Sequence, residues 1–173
     1  MGNIDTDIVE YTLGSDSRAN NRRISRLALP EGVLVAMLTR GDEVVPPRGS
    51  TLLKTGDHLF VMQRPNARHY VERAFSRLSE SVEMLPAGKL RLKGSTTVGD
   101  LFDSYDIHLD ADENITLEHL LQNELPKADE YSVGQSIQLN GLTIAIVEMV
   151  GRRIATVCLS SIAQAATEPT KVA

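Results

Sequence analysis

The stretch Leu29–Gln63, LPEGVLVAMLTRGDEVVPPRGSTLLKTGDHLFVMQ, constrains this chain more than any other. Val33–Thr39 is nearly all apolar, as expected for a strand buried on both faces or pressed into an interface. Arg40-Gly41-Asp42-Glu43 makes a turn after it. Val44-Val45 is a short strand that stops at Pro46-Pro47, because proline cannot donate to a β ladder. Thr55-Gly56-Asp57 then turns the chain into a third strand, His58–Gln63. Three short strands in this order carry no catalytic constellation. They have the layout of a small β-rich sensing or docking module.

The flanks fit the same scheme. Asp7–Leu13 alternates as a strand does, and Gly14–Asn21 is polar and turn-rich. Arg22–Leu27 predicts one or two helical turns with Ile24 and Leu27 facing inward. After Pro65, suited to a first helical turn, Ala67, Val71, Ala74, Phe75 and Leu78 fall on one helical face. Arg68, Arg73 and Arg77 lie off it, as a solvated face or as one turned to a membrane or a partner.

The second half opens with Lys89–Lys93, where leucines alternate with basic residues. Thr97 with Asp100 reads as a capping box for a short helix carrying Val98, Leu101, Phe102 and Tyr105. Thr116 is the expected cap of another, with Leu117, Leu120 and Leu121 inward and Pro126 as its stop. Val133–Ser136 turns into a strand, Ile137–Leu139. A hairpin follows, Leu142–Met149 and Arg153–Leu159, about a Gly151-Arg152 turn.

The expected class is α+β: two small domains, each a mainly antiparallel or mixed sheet with a few short helices. Charge divides unevenly, which supports the split. Residues 1–84 carry 11 Lys/Arg against 11 Asp/Glu, whereas residues 85–173 carry 7 against 12. The reading is a first domain at 1–84, a second at 85–163 and a flexible tail at 164–173.

The formal charge of −5 argues against nucleic acid as a partner, which would need a concentrated basic face. The lone cysteine, Cys158, allows no intrachain disulfide, fits a reducing compartment and reads as a small buried hydrophobe. No apolar run approaches the roughly 18–20 residues that cross a bilayer, and Met1–Thr6 is too polar for a signal peptide. The four histidines lack metal-ligand spacing, so no metal is expected. Asp110–Asn114 resembles the start of a calcium loop but has Ile115 and Leu121 where that loop needs Gly and Glu. No phosphate-cradling glycine loop or nucleophile elbow is present. The expectation is a protein that is not an enzyme, with no required cofactor.

Arg40, at the end of the apolar strand, has two readings: a guanidinium aimed at an anion or partner carboxylate, or a local pair with Asp42 or Glu43. Arg18, Arg22, Arg23 and Arg26 make the early segment basic, for an anionic ligand or for solubility. The acidic run from Asp100 to Glu118 reads as a solvated face or a dock for a basic partner.

DIVEYTL, RRISRLALPEG, VLVAMLTRGDEVVPPRGSTLL and TGDHLFVM resemble the TrkA-C or RCK-C regulatory subdomain of potassium-conductance regulators, with Asn21 where that family usually has glycine. LPAGKLRLKGSTTVGDLFDSYDI and SVGQSIQLNGLTIAIVEMVGRRIATVCL resemble the CorC/HlyC transporter-associated domain. Their order is similar to the cytosolic tail of CvrA- or NhaP-type potassium/proton antiporters. The resemblance implies a regulatory region on the cytoplasmic side of an inner membrane, joined to a membrane antiporter domain of the same polypeptide and itself soluble. It implies a homodimer and a regulatory nucleotide (AMP, ATP or cyclic di-AMP) held at Val35, Ala36, Met37, Arg40, Val45 and Pro46. The alternative is a scaffold that dimerises or docks a protein without sensing.

Overall fold

The structure, a computed structural model, describes residues 5–75, 77 and 89–162. The chain falls into two compact units, Met1–Val82 with Asp100–Asp106, and Glu83–Gly99 with Ile107–Ala173. Each carries a four-stranded antiparallel sheet with short helices. The α+β expectation holds. The predicted helix-face residue Leu78 and the predicted tail lie outside the described residues.

In the first unit β1 (Asp7–Thr12), β2 (Leu34–Arg40), β3 (Glu43–Val45) and β4 (His58–Gln63) lie in the order β1-β4-β2-β3. The β2–β3 hairpin turns where the sequence placed it: Arg40 pairs with Glu43 across Gly41, at φ +59°. Alternation along the strands gives the sheet two unlike faces. Val35, Leu38, Leu59 and Val61 point inward, into a core completed by Leu13, Ala19, Leu27, Leu53, Ala67 and Val71. The 3₁₀ turn Ile24–Arg26 delivers Leu27 fully buried. Asn21 sits at φ +60°, the left-handed conformation glycine favours and asparagine tolerates.

The helix after β4 starts as a 3₁₀ turn at Pro65–Ala67 and continues as α1 (Arg68–Ala74). It buries Ala67, Val71 and Ala74 as the spacing predicts. Tyr70, which the pattern did not single out, is buried too. Phe75 caps the helix and stacks on Tyr11, with ring centroids 4.9 Å apart.

Val33–Thr39 is not sealed on both sides. Leu34 is 60% and Met37 37% exposed, while Val35 and Leu38 are buried. A bulge between Val35 and Met37 keeps this alternation in step with β4. Within this chain the strand therefore has one buried face and one open apolar face.

In the second unit β5 (Leu90–Lys93), β6 (Ser136–Leu139), β7 (Leu142–Val150) and β8 (Arg153–Ser161) lie in the order β5-β8-β7-β6. Leu90, Leu92, Ile144, Ile146, Val157 and Leu159 form the buried side. The predicted hairpin closes at Gly151-Arg152, with Val150 opposite Arg153. A second tight hairpin joins β6 to β7 through Asn140-Gly141, both at positive φ. Asn-Gly is the preferred pair for that turn.

Two helices separate β5 from β6: α2 (Val98–Tyr105), whose residues from Asp100 group with the first unit, and α3 (Leu117–Glu124). The Thr116 hydroxyl accepts the His119 amide at 3.2 Å, the predicted cap of α3. Leu117, Leu120 and Leu121 are buried as expected. On α2, Val98, Leu101 and Tyr105 are buried but Phe102 is 41% exposed, so it does not join the core its spacing suggested. Ahead of α2, Gly94 passes so close to β8 that a Cβ there would lie 2.0 Å from the Ile154 carbonyl oxygen.

Candidate functional site

The β2–β4 region is where the sequence concentrates its candidates, and the structure divides them. Val35 is buried in the core, so its side chain does not face solvent. Ala36 and Met37 are exposed. Val45 is half-buried against the core. The Pro46 carbonyl accepts the Thr51 hydroxyl at 2.7 Å, which fixes the proline corner. On the β3 side the ladder covers only Leu38–Arg40 of β2.

The Arg40 guanidinium is bonded to neither the Asp42 nor the Glu43 carboxylate. Its Nε donates to Asp57 Oδ1 at 2.8 Å and an Nη2 hydrogen reaches Oδ2 at 2.9 Å. Nη2 also donates to the Leu52 carbonyl at 3.0 Å. The partner comes from the Thr-Gly-Asp turn, 17 residues on, which explains why neighbouring sequence did not reveal it. The Asp57 side chain is fully buried while that of Arg40 is 34% exposed. The Lys54 amide donates to Asp57 Oδ2 at 2.8 Å. Burial pushes the Asp57 carboxyl up, but the Arg40 fork, the Lys54 amide and the charges behind them outweigh it and hold the group below its ordinary value. Hydrogen bonding to Asp57 pushes the Arg40 guanidinium up in turn. The same turn is stitched to β1: Leu13 donates to the Asp57 carbonyl at 2.9 Å and Gly56 to that of Leu13 at 2.8 Å.

The open side of the first sheet is built from aligned rows. Ile8, Met62 and Leu34 form one row; Glu10, Phe60 and Met37 the next; Thr12, His58, Thr39 and Val44 the third. Ile8, Leu34 and Val44 are each at least 60% exposed. Exposed aliphatic side chains are ordinary when scattered; here they are aligned on one sheet face, which makes that face a candidate interaction surface. At its polar end His58 Nδ1 lies 2.9 Å from Glu10 Oε1 and 3.1 Å from Thr12 Oγ1. Sequence reasoning missed this pair because its members are 48 positions apart and meet only through the β1–β4 register.

Three of the four early arginines, Arg18, Arg22 and Arg26, lie against carboxylates of the first unit. Arg18, nearly buried, makes a two-pronged bond to Asp106 at 2.9 and 2.6 Å. Arg22 lies 3.6 Å from Asp100 and donates to Ser104 at 3.1 Å. Arg26 lies 3.7 Å from Asp100. The Tyr105 hydroxyl donates to the Ala28 carbonyl at 2.5 Å, and burial pushes that phenol far up. Asp106, at φ +54°, ends its helix and is aimed at Arg18. The basic segment and the start of the acidic run thus answer one another.

The remaining acidic loop serves turns: Asp110 bonds Asn140 through its amide and its carboxylate, and Asp112 accepts the Asn114 amide. Cys158 is buried, and desolvation pushes its thiol up. No helix among the described residues is long and apolar enough to cross a membrane.

Residues 8–76 match the family model of the TrkA-C domain, and residues 83–162 that of the CorC_HlyC transporter associated domain. Among curated relatives, the Trk system potassium uptake protein TrkA homolog 1 of Methanosarcina mazei is 32% identical over 69 residues, 40% of this chain and 15% of that protein. The K(+)/H(+) antiporter NhaP2 of Shewanella baltica is 27% identical over 157 residues, 87% of this chain and 27% of that protein. The chain thus spans less than a third of either relative. A solved CorC_HlyC domain from Haemophilus ducreyi is 18% identical, with a TM-score of 0.37, covering 47% of this chain and 96% of that one. The chain carries a TrkA-C domain followed by a CorC/HlyC transporter associated domain.

Proposed function

We propose that this chain is the cytosolic regulatory region of a monovalent cation/proton antiporter, divided into domains at 1–84 and 85–163, and that it works as a homodimer. Its other partner is the membrane-embedded antiporter domain of the same polypeptide, which places it on the cytoplasmic side of the inner membrane. The order of the two matched domains supports this, because the potassium/proton antiporter relative aligns across both. The observation that carries the dimer is the aligned apolar face of Ile8, Leu34, Met37, Val44, Phe60 and Met62. A second copy covers it, and the transporter responds to how the two copies pair. No bond-making chemistry is assigned to the chain.

A nucleotide such as AMP, ATP or cyclic di-AMP binds at the seam in this reading. The ladder on the β3 side leaves Leu34–Met37 of β2 unpaired, so strand amides and carbonyls there meet a base edge, flanked by Ala36 and Met37. Titration calorimetry with the three nucleotides tests it. Heat from one of them, lost on Met37→Glu, supports sensing; none from any, with the fold intact, removes it.

The scaffold reading, in which the pair forms without a ligand, draws on a separate observation. The Arg40 fork is already occupied by Asp57 and the Leu52 carbonyl, so a phosphate must compete with a buried carboxylate for it. That reading predicts dimers with no response to any nucleotide.

A further inference from the structure

We infer that pairing through the open face of the first sheet is coupled to protonation of His58, an inference that rests on the dimer reading above. Among the described strand residues, the outward rows hold two ionisable groups, Glu10 from β1 and His58 from β4, and these touch at 2.9 Å. The other groups packed around His58 are uncharged: Thr12 on β1, Thr39 on β2 and Val44 beyond it on β3. Arg40 and Glu43 alternate to the opposite side, where Arg40 is held by Asp57. Asp7, opposite Gln63, also alternates to that side.

The side chains of Glu10 and His58 are about half exposed in the single chain, at 53% and 43%, so water serves both. A second copy seated on the apolar rows removes that water. With a neutral imidazole, the Glu10 carboxylate would then keep at most a hydrogen bond from Nδ1–H and lie beside Phe60 and Met37 with no opposite charge, which is costly. With an imidazolium, the two charges cancel within one hydrogen bond. Association therefore takes up protons and tightens as pH falls from 8 to 6, the range in which imidazole changes charge.

The test is the dimer dissociation constant of the full chain, measured by sedimentation at pH 8 and pH 6, for the wild type, His58→Gln and Glu10→Gln. The expected results are several-fold tightening at pH 6 for the wild type, a flat response for His58→Gln, and weakening at pH 6 for Glu10→Gln, which strands an imidazolium. Should one variant fail to fold, the other carries the test. A wild-type dimer indifferent to pH overturns the protonation inference and leaves pairing intact, and so does a His58→Gln dimer with an unchanged response. A monomer at both pH values overturns the dimer reading and this inference together.

Discussion

Removing Arg40 should destabilise the first unit more than neutralising its partner Asp57, although the two share one ion pair. The reason is their unequal burial. The Asp57 side chain is fully buried, and Arg40 is about a third exposed. Arg40→Leu leaves a buried carboxylate with the Lys54 amide as its remaining hydrogen-bond donor in the turn. Breaking a buried pair in this way costs about 3–5 kcal/mol, and partial exposure of the lost partner discounts it to about 3 kcal/mol. Asp57→Asn leaves a neutral amide and a guanidinium that turns to water, at about 1.5–2 kcal/mol. The two variants must also diverge with pH. Asp57 has a folded pKa below its unfolded value, so its contribution is complete above the ordinary carboxylate range and is lost as pH falls through the folded value. Without Arg40 the largest remaining influence is burial, which raises the folded pKa. The penalty of Arg40→Leu therefore shrinks as pH drops from 7 toward 4. Urea unfolding followed by tyrosine fluorescence measures this, since Tyr11, Tyr70 and Tyr105 all belong to the first unit. Equal losses for the two variants, or an Arg40→Leu penalty that grows on acidification, would refute the reasoning.

Gly94→Ala should cost about 3 kcal/mol or more and loosen β5 from β8, because the new methyl meets backbone, which cannot step aside as a side chain can; thermal unfolding reads it. Thr116→Ala removes the cap of α3 and should cost about 1 kcal/mol, with Thr116→Ser recovering most of it. On the open face, Leu34→Glu should leave the melting temperature of a dilute, monomeric sample nearly unchanged, since Leu34 is mostly in water there. A large loss would mean that the face packs within its own chain.

Much of the fold was legible because local rules and tertiary packing agree. The β2–β3 turn, the Thr116 cap, the α3 leucines and the Gly151-Arg152 hairpin each rest on neighbouring residues, and each is present. The Asn140-Gly141 turn was equally local and went unread although its signal was in the sequence. What sequence could not supply was partnership across distance. Of the two readings of Arg40, the local pair with Asp42 or Glu43 is not formed, and the carboxylate it meets is Asp57, 17 residues on. The basic segment around Arg18 was read apart from the acidic one around Asp106, and the two bond. The apolar run Val33–Thr39 gave the strand but not its sidedness, because composition does not reveal a bulge. Of the candidate site, Ala36 and Met37 face outward while Val35 belongs to the core, a division that a one-residue shift in register would reverse.

The most direct measurement is sedimentation equilibrium of the full chain beside the double variant Leu34→Glu, Phe60→Glu. Pairing through the open sheet face predicts a reversible dimer for the wild type at micromolar concentration and a folded monomer for the variant. A wild-type monomer at high micromolar concentration, or a variant that pairs as tightly as the wild type, would contradict it.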